Sequence, residues 1–339
     1  MSSDYFDISF TKNISLERPI VRDWFFYEKL EIVENQPIPI FRFKNVHISP
    51  GSKNAVRLKG QWNIVTDGFG QYGHFMKEGI GQYLYCKQLF SNLQPLFLHV
   101  YSHDTPEYLR SIVELCFNRI KKDLENQKAA VGSLEYVEFK GPALHHKHFI
   151  IDELIVMMDN GRLVFAQSFP NFWEARAPHL SRCLVDYFND LRVYDFSKPK
   201  KIFITRRNRS KELDKRNQKD DFWYKNRFID DNTLSLVESI FAKHGYEIID
   251  FSGMTLHDQI SYSYNSTHFA GFLGTAFHNG IWCKPGTKFY GLRATQYNFD
   301  WKHDIIHTVE ESTYSLIDIW KIEDVERVEL IISKFLTKK

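Results

Sequence analysis

The alternation of apolar and polar positions divides the chain into short strands and amphipathic helices. In the second half, Ile202-Phe203-Ile204 reads as a buried strand, and a helical pattern runs from about Asn232 to His244, stopped by Gly245. Tyr246-Glu247-Ile248-Ile249 reads as another strand, and a helix is expected around His257-Asp258-Gln259-Ile260. A further strand follows Lys284-Pro285-Gly286-Thr287. Tyr314 to Ile319 reads as the last one, before a helix from Val325 to Phe335 for which Asp324 is a better N-cap than Glu323.

The first half is more mixed. Residues 14–66 read as short strands and turns: Pro37-Ile38-Pro39-Ile40 breaks any helix, and Ile40-Phe41-Arg42-Phe43 alternates at strand period. Pro95 to Val100 is a strand. Asp104-Thr105-Pro106-Glu107 opens a helix with Leu109, Ile112, Val113, Leu115, Cys116 and Ile120 at helical spacing, and Leu134 to Phe139 is the next strand. An amphipathic helix is expected between Asn171 and Asp195, beginning near Pro178. Short strands alternating with helices predict parallel α/β layers.

Length and composition narrow the picture. A chain of 339 residues suits two domains, and 43% apolar with 25% charged residues is globular. The polar, proline-containing Ser197-Lys198-Pro199-Lys200-Lys201 is the best boundary. It divides the chain into a first domain, 1–197, a second, 198–321, and a closing helix, 322–339. A net charge of +2 argues against a general nucleic-acid binder, so nucleic acid is not expected as a partner. Cys86, Cys116, Cys183 and Cys283 have no metal-ligand spacing and read as buried thiols in a reducing compartment. Met1 to Asn13 lacks a signal-peptide core, and no apolar run approaches the roughly 18 residues that span a bilayer. A cytoplasmic protein is expected.

Two stretches carry candidate chemistry. The strand at Ile202 delivers Arg206, Arg207 and Arg209, and a basic segment leads on to Arg227. Guanidinium forks match phosphate oxygens, so several of them after one strand point to a diphosphate. Gly271 and Gly274, before a possible helix, would let backbone N–H groups approach that diphosphate. The plain alternative is a solvated loop and an ordinary turn. The second stretch is Asp67-Gly68-Phe69-Gly70-Gln71-Tyr72-Gly73, followed by His74 and Glu78 four apart on one helical face. Either could serve as a general base; a local hydrogen bond at a helix start is the plainer reading. His145-His146-Lys147-His148 has no recognised ligand spacing with Asp152 and Glu153, and no metal site is expected there.

The order of motifs resembles glycosyltransferase family 61. It is carried by Ile204-Thr205-Arg206-Arg207, Arg227-Phe228-Ile229-Asp230-Asp231, Asp258-Gln259, Gly271-Phe272-Leu273-Gly274-Thr275-Ala276-Phe277-His278-Asn279 and Pro285-Gly286-Thr287, with a shorter likeness around His74. The chain departs from the family pattern at Leu273, where a His is usual, at Asp230-Asp231 in place of Asn-Glu, and at Gly291 in place of a Glu.

The resemblance implies an α/β, GT-B-like fold, two Rossmann-type domains facing a cleft. It implies an inverting, metal-independent glycosyltransferase with a nucleotide-sugar donor, usually a uridine nucleotide. The acceptor would be a glycan or lipid-linked glycan, in surface polysaccharide synthesis. Arg206, Arg207 and Arg227, with Gly271, Gly274, Thr275, Ala276 and Asn279, would hold the donor, and His74 or Glu78 would take the acceptor's proton. Independently of the resemblance, the charged stretch from Asn208 to Lys225 reads as a mobile loop. It would close over the donor diphosphate, meet an anionic lipid-linked acceptor or hold the protein at a membrane surface, with a solvated insertion as the plainer reading. Two other readings stand beside this: a protein that kept the fold and lost activity, and an anionic-surface or nucleic-acid binder acting through that loop.

Overall fold

The computed structural model describes residues 25–26, 28–33, 40–48, 55–66, 72–101, 107–126, 136–140, 148–159, 162–163, 170–208, 229–295, 302–320, 322 and 324–337. The chain divides into two compact units, Met1–Leu109 with Val113–Leu180, and Ser181–Lys339 with Arg110–Ile112. Both are α/β layers built on parallel-rich sheets, as the alternating pattern predicts. Among the described residues, no helix is long and apolar enough to cross a membrane.

The first unit holds a mixed sheet. Its strands are β1 (Phe25–Phe26), β2 (Lys29–Val33), β3 (Ile40–Ile48), β4 (Ala55–Thr66), β5 (Gln94–Tyr101), β6 (Tyr136–Lys140), β7 (His148–Asp159) and β8 (Arg162–Leu163). The order is β1-β3-β7-β4-β5-β6, with β2 on β3 and β8 on β7. The pairs β7–β4, β4–β5 and β5–β6 are parallel, and β3 joins β7 antiparallel. β5, the helix Glu107–Asn126 and β6 are the parallel strand-helix-strand expected from the sequence. The entry region 14–66 supplies both the antiparallel β1–β3 and β4, which pairs parallel with β5 and β7. Buried positions of β3, β4 and β7 (Phe41 and Phe43; Leu58, Trp62 and Ile64; Phe149, Ile151 and Leu154) build its core.

On this sheet Arg42 clasps Glu153 with two bonds, Nε to Oε2 at 3.0 Å and Nη2 to Oε1 at 2.6 Å. Gln61 Nε2 donates to the same carboxylate at 3.0 Å. The Arg42 fork holds the Glu153 carboxyl below its ordinary range. Asp152 and Glu153 are thus strand residues within reach of arginines, Asp152 lying 3.5 Å from Arg57 Nε. His145, His146 and Lys147 lie outside the described residues.

The second unit is simpler. Strands β9 (Lys201–Ile204), β10 (Glu247–Ile249), β11 (His268–Phe272), β12 (Lys288–Arg293) and β13 (Thr313–Asp318) form one all-parallel sheet in the order β10-β9-β11-β12-β13. Three of its helices begin where a side chain caps them. Asp230 Oδ1 accepts from Thr233 N at 2.9 Å before Asp231–Lys243, and Thr255 Oγ1 from Asp258 N at 3.1 Å before Leu256–Asn265. Asp324 Oδ1 accepts from Glu326 N at 2.9 Å before Val325–Thr337. Gly245, at φ +80°, ends the first of these in the left-handed region, as its place after His244 predicts. Phe203, Val237, Phe241, Phe272, Tyr290 and Ile332 pack between sheet and helices.

One helix differs from expectation. It runs Pro170–Tyr187 with Pro178 inside it, instead of beginning near Pro178. The ring removes one backbone donor, yet the apolar stripe that follows, Leu180, Cys183 and Leu184, is buried, and that burial keeps the helix continuous past the proline. It also stops at Tyr187, well before Asp195. The chain continues through a short 3-10 turn, Asn189–Leu191.

Candidate active site

Taken by sequence rank, the second sheet reads 2-1-3-4-5. The chain leaves β9 towards β10 on one side and leaves β11 towards β12 on the other. The two connections diverge, opening a crevice at the carboxyl ends of β9 and β11, the place where open parallel sheets take ligands.

Arg206 stands two residues beyond β9 and turns into that place. Its Nη1 donates to the Leu273 carbonyl, just past β11, at 3.1 Å. Gly274 follows at φ +143°, a region that favours glycine, and a Cβ there would sit 3.6 Å from the Arg206 Cζ. The guanidinium therefore lies against a bare backbone turn, as expected from the sequence. Thr275 and Ala276 open a 3-10 helix, Thr275–Trp282, on the far side of the turn; the Thr275 side chain lies outside the described residues.

Other expected donor-site residues have different neighbours. Arg207 reaches Glu238 on the Asp231–Lys243 helix, Nη2 to Oε2 at 2.6 Å, with Asp231 3.6 Å away and Ser235 Oγ at 3.2 Å. Glu238 also accepts from Thr205 Oγ1 at 2.5 Å, so it ties down both residues that flank Arg206. Gly271 lies against β9, where a Cβ would meet the Ile204 carbonyl oxygen at 3.0 Å. Its missing side chain lets two strands close up. Asn279 is buried and held: Nδ2 donates to Gln259 Oε1 at 3.1 Å, and Oδ1 accepts from Trp282 Nε1 at 3.1 Å. Gln259 in turn donates to the Met254 carbonyl at 3.1 Å. The Asn and Gln of the motif thus brace the 3-10 helix against Leu256–Asn265. Arg209 and Arg227, with the basic segment 209–228, lie outside the described residues.

Two of the three departures from the family pattern, Leu273 and Gly291, are neighbours in space. A Cβ on Gly291 would stand 2.9 Å from Leu273 Cδ2, and the Tyr314 hydroxyl already occupies that position. His278, a few residues on, is fully buried with Nε2 3.5 Å from Asp304 Oδ2. It lies within the packing beneath the turn.

In the first unit, a helical turn Tyr72–His74 runs into a π-helical segment, Phe75–Gly81, and then an α-helix, Gln82–Leu89. His74 and Glu78 fall on it as expected, and their side chains lie outside the described residues. Four residues overshoot a turn of α-helix slightly and fall slightly short of one in an i→i+5 coil, so the two positions stay on one side of the axis. Sequence reasoning missed both the π segment and Lys77. Lys77 lies between Met76 and Glu78 and is fully buried, as is nearby Gln82. No local signal reveals a buried lysine; its spacing reads as solvated. π segments are rare and recur at functional sites.

Among the described residues, no three His, Cys, Asp or Glu side chains converge as ligands would. All four cysteines are buried and outside any disulfide, and burial pushes the Cys283 thiol up to about 12. No curated protein matches the chain. The model of the family Glycosyltransferase 61 matches residues 72–290, which takes in the π segment, Arg206, the glycine turn and β12 as far as Tyr290. The match covers well over half of the sequence, and the chain belongs to glycosyltransferase family 61.

Proposed function

We propose that the protein is an inverting glycosyltransferase whose second unit binds a nucleotide sugar by its diphosphate at the carboxyl ends of β9 and β11. One observation carries this reading: Arg206 and the Leu273-Gly274 turn meet at the switch point of the all-parallel sheet. A fixed cation beside bare backbone suits an anion, and it stabilises the charge that develops on a diphosphate leaving group. Arg227 joins it from the basic segment. Arg207 acts one step back, holding Thr205 and Glu238 so that Arg206 keeps its aim. The cation takes the place that a divalent metal holds in other transferases, so no metal is required.

The first unit supplies the acceptor side. His74 or Glu78 takes the proton of the acceptor hydroxyl as its oxygen attacks the anomeric carbon from the face opposite the diphosphate. The donor is a uridine nucleotide sugar, and the acceptor is a glycan or lipid-linked glycan of a surface polysaccharide made in the cytoplasm.

A thermal-shift panel of nucleotides and nucleotide sugars tests the donor site. A ligand at a hundredfold its dissociation constant adds about 2.7 kcal/mol of stability. Uridine diphosphate and its sugars should raise the melting temperature, and Arg206→Ala should cut the rise to half or less at the same ligand concentration. A panel without any shift would sink the proposal. The anomeric configuration of the product, read by NMR, tests inversion. A second reading, a family member that binds a donor without turning it over, is favoured by Leu273 and Tyr314 filling the space above Gly291. Donor binding with no nucleotide release would select it.

A further inference from the structure

The opposite, amino-terminal edge of the second sheet carries a surface that the proposed reaction does not use. Three of the four residues from Val193 to Phe196 are large, apolar or aromatic, and exposed: Val193 at 59%, Tyr194 at 46% and Phe196 at 85%. The rings of Tyr194 and Phe196 meet edge to face at 4.6 Å and leave their outer sides open. Single exposed apolar side chains need no explanation, but an adjacent pair of rings with a valine is a patch.

Lysines from two separate segments ring this patch. Lys200 Nζ lies 4.5 Å from the Tyr194 ring centroid and 5.9 Å from that of Phe196. Lys284, from the turn before β12, lies 5.4 Å from the Tyr194 ring, and Lys198 lies 4.2 Å over Tyr262. The one carboxylate in the segment, Asp195, is turned onto the Ser197 amide and hydroxyl at 2.9 and 2.7 Å. The surface thus combines aromatic and aliphatic tips with ammonium groups at their rim. Such tips partition into the headgroup zone of a bilayer, while lysines are drawn to anionic headgroups.

The placement is fixed by the strand direction. Lys200 precedes β9, and its carbonyl accepts from Thr267 N at 2.7 Å before β11; Lys284 precedes β12. Strands of four and five residues separate this edge from Arg206 and Gly274, about 13–17 Å at strand rise.

We infer that this edge is a docking surface for an anionic phospholipid bilayer, with Phe196, Tyr194 and Val193 entering the headgroup zone and Lys198, Lys200 and Lys284 pairing with lipid phosphates. Docking in this way holds the carboxyl edge of the sheet one strand length above the lipid. The surface is distinct from the basic segment after Asn208, and its lipid binding needs no donor.

Co-flotation of the full chain with vesicles tests it without a nucleotide sugar. Binding is expected to vesicles of phosphatidylcholine mixed with phosphatidylglycerol, to be weak on phosphatidylcholine alone, and to fall as salt rises. Val193→Ser with Phe196→Ser should weaken it about tenfold. Lys198→Glu with Lys200→Glu should weaken it about fivefold or more for each lysine changed. All four side chains are at least partly exposed, and unchanged thermal melts would show that the variants fold. Failure to float with the mixed vesicles, or flotation that these variants leave unaltered, overturns the inference. A concentration-dependent dimer that Phe196→Ser dissolves overturns it too, in favour of a second copy on the same patch.

Discussion

The Tyr314 hydroxyl fills the space directly above Gly291, where any other residue would carry its Cβ. Leu273 closes the same space from the side, its Cδ2 2.9 Å from that position. Tyr314 starts on β13 beside Phe289 and leans along the sheet across Gly291, its ring edge to face with Phe277 at 6.1 Å. The missing side chain at 291, the tyrosine over it and the leucine beside it are one packing arrangement. Gly291→Ala should therefore destabilise the protein by about 1–3 kcal/mol through overpacking. Tyr314→Ala should then cost less in the Gly291→Ala background than in the parent, because the methyl takes up part of the space the hydroxyl leaves. Urea denaturation of the single and double variants reads both; additive losses would refute the coupling.

Arg206 and Arg207 are adjacent in the chain and differ in their partners. Arg206 meets a carbonyl and a bare turn, so its loss should act on anion binding. Arg206→Ala is expected to weaken uridine diphosphate binding by about 1.5–3 kcal/mol, roughly ten- to a hundredfold, with little change in melting temperature without ligand. Arg206→Lys should recover only part, since a point charge cannot reproduce the fork. Isothermal titration separates these outcomes, and unchanged affinity in Arg206→Ala would remove the guanidinium from the site.

Arg207 should behave in the reverse way. Its fork is held by Glu238, and its side chain is 30% exposed against 14% for Glu238. Removing the arginine leaves a largely buried carboxylate with only the Thr205 hydroxyl, a loss of about 1–3 kcal/mol in stability. A double-mutant cycle with Glu238→Ala should return a favourable coupling, and affinity for the nucleotide should fall less than in Arg206→Ala. No coupling would mean that the ion pair does not order this segment.

Most elements of the second unit were legible because they have local punctuation; β11, read as part of a small-residue turn, and the helix Lys302–Thr308 were missed. Asp230 and Asp324 cap helices, Gly245 ends one, and apolar runs of four to six residues mark strands buried on both faces. The expectation that Arg206 and the glycine turn would meet rested on both lying at the carboxyl ends of parallel strands. What could not be read was the division of labour inside the motifs. Arginine, asparagine and glycine look the same in sequence whether they face a ligand or a neighbouring strand. Only the fold shows Gly271 against Ile204 and Asn279 spent on Gln259 and Trp282. The π segment was hidden for a similar reason, since an inserted residue leaves the apolar spacing nearly intact over one turn.

Asn279 accordingly gives a sharp stability test. Asn279→Ala leaves the Trp282 Nε1–H and the Gln259 Oε1 without their described partner in a buried setting. Each such group costs about 1–3 kcal/mol. A loss of more than about 2 kcal/mol in denaturant titration is expected, with affinity for the nucleotide falling only as the 3-10 helix loosens. A variant as stable as the parent, yet unable to bind, would instead make Asn279 a direct ligand contact.

His268 sets the pH dependence of the second unit. It opens β11 with Lys201 beside it on β9 and Lys288 beside it on β12. Burial first, and then the two flanking ammonium groups, hold its imidazole below the ordinary value of 6.5. The unfolded chain therefore binds this proton at a pH where the folded protein does not. Stability from this group is unaffected above about pH 6.5, falls as pH drops below it, and levels off once the folded imidazole also titrates. His268→Gln removes the titration while keeping a polar group near Thr267, whose hydroxyl lies 3.0 Å from Nδ1. The parent should lose stability between about pH 7 and pH 5 more steeply than the variant in urea melts at each pH. Equal slopes would show that His268 does not titrate differently in the two states, and a steeper variant would reverse the sign of the argument.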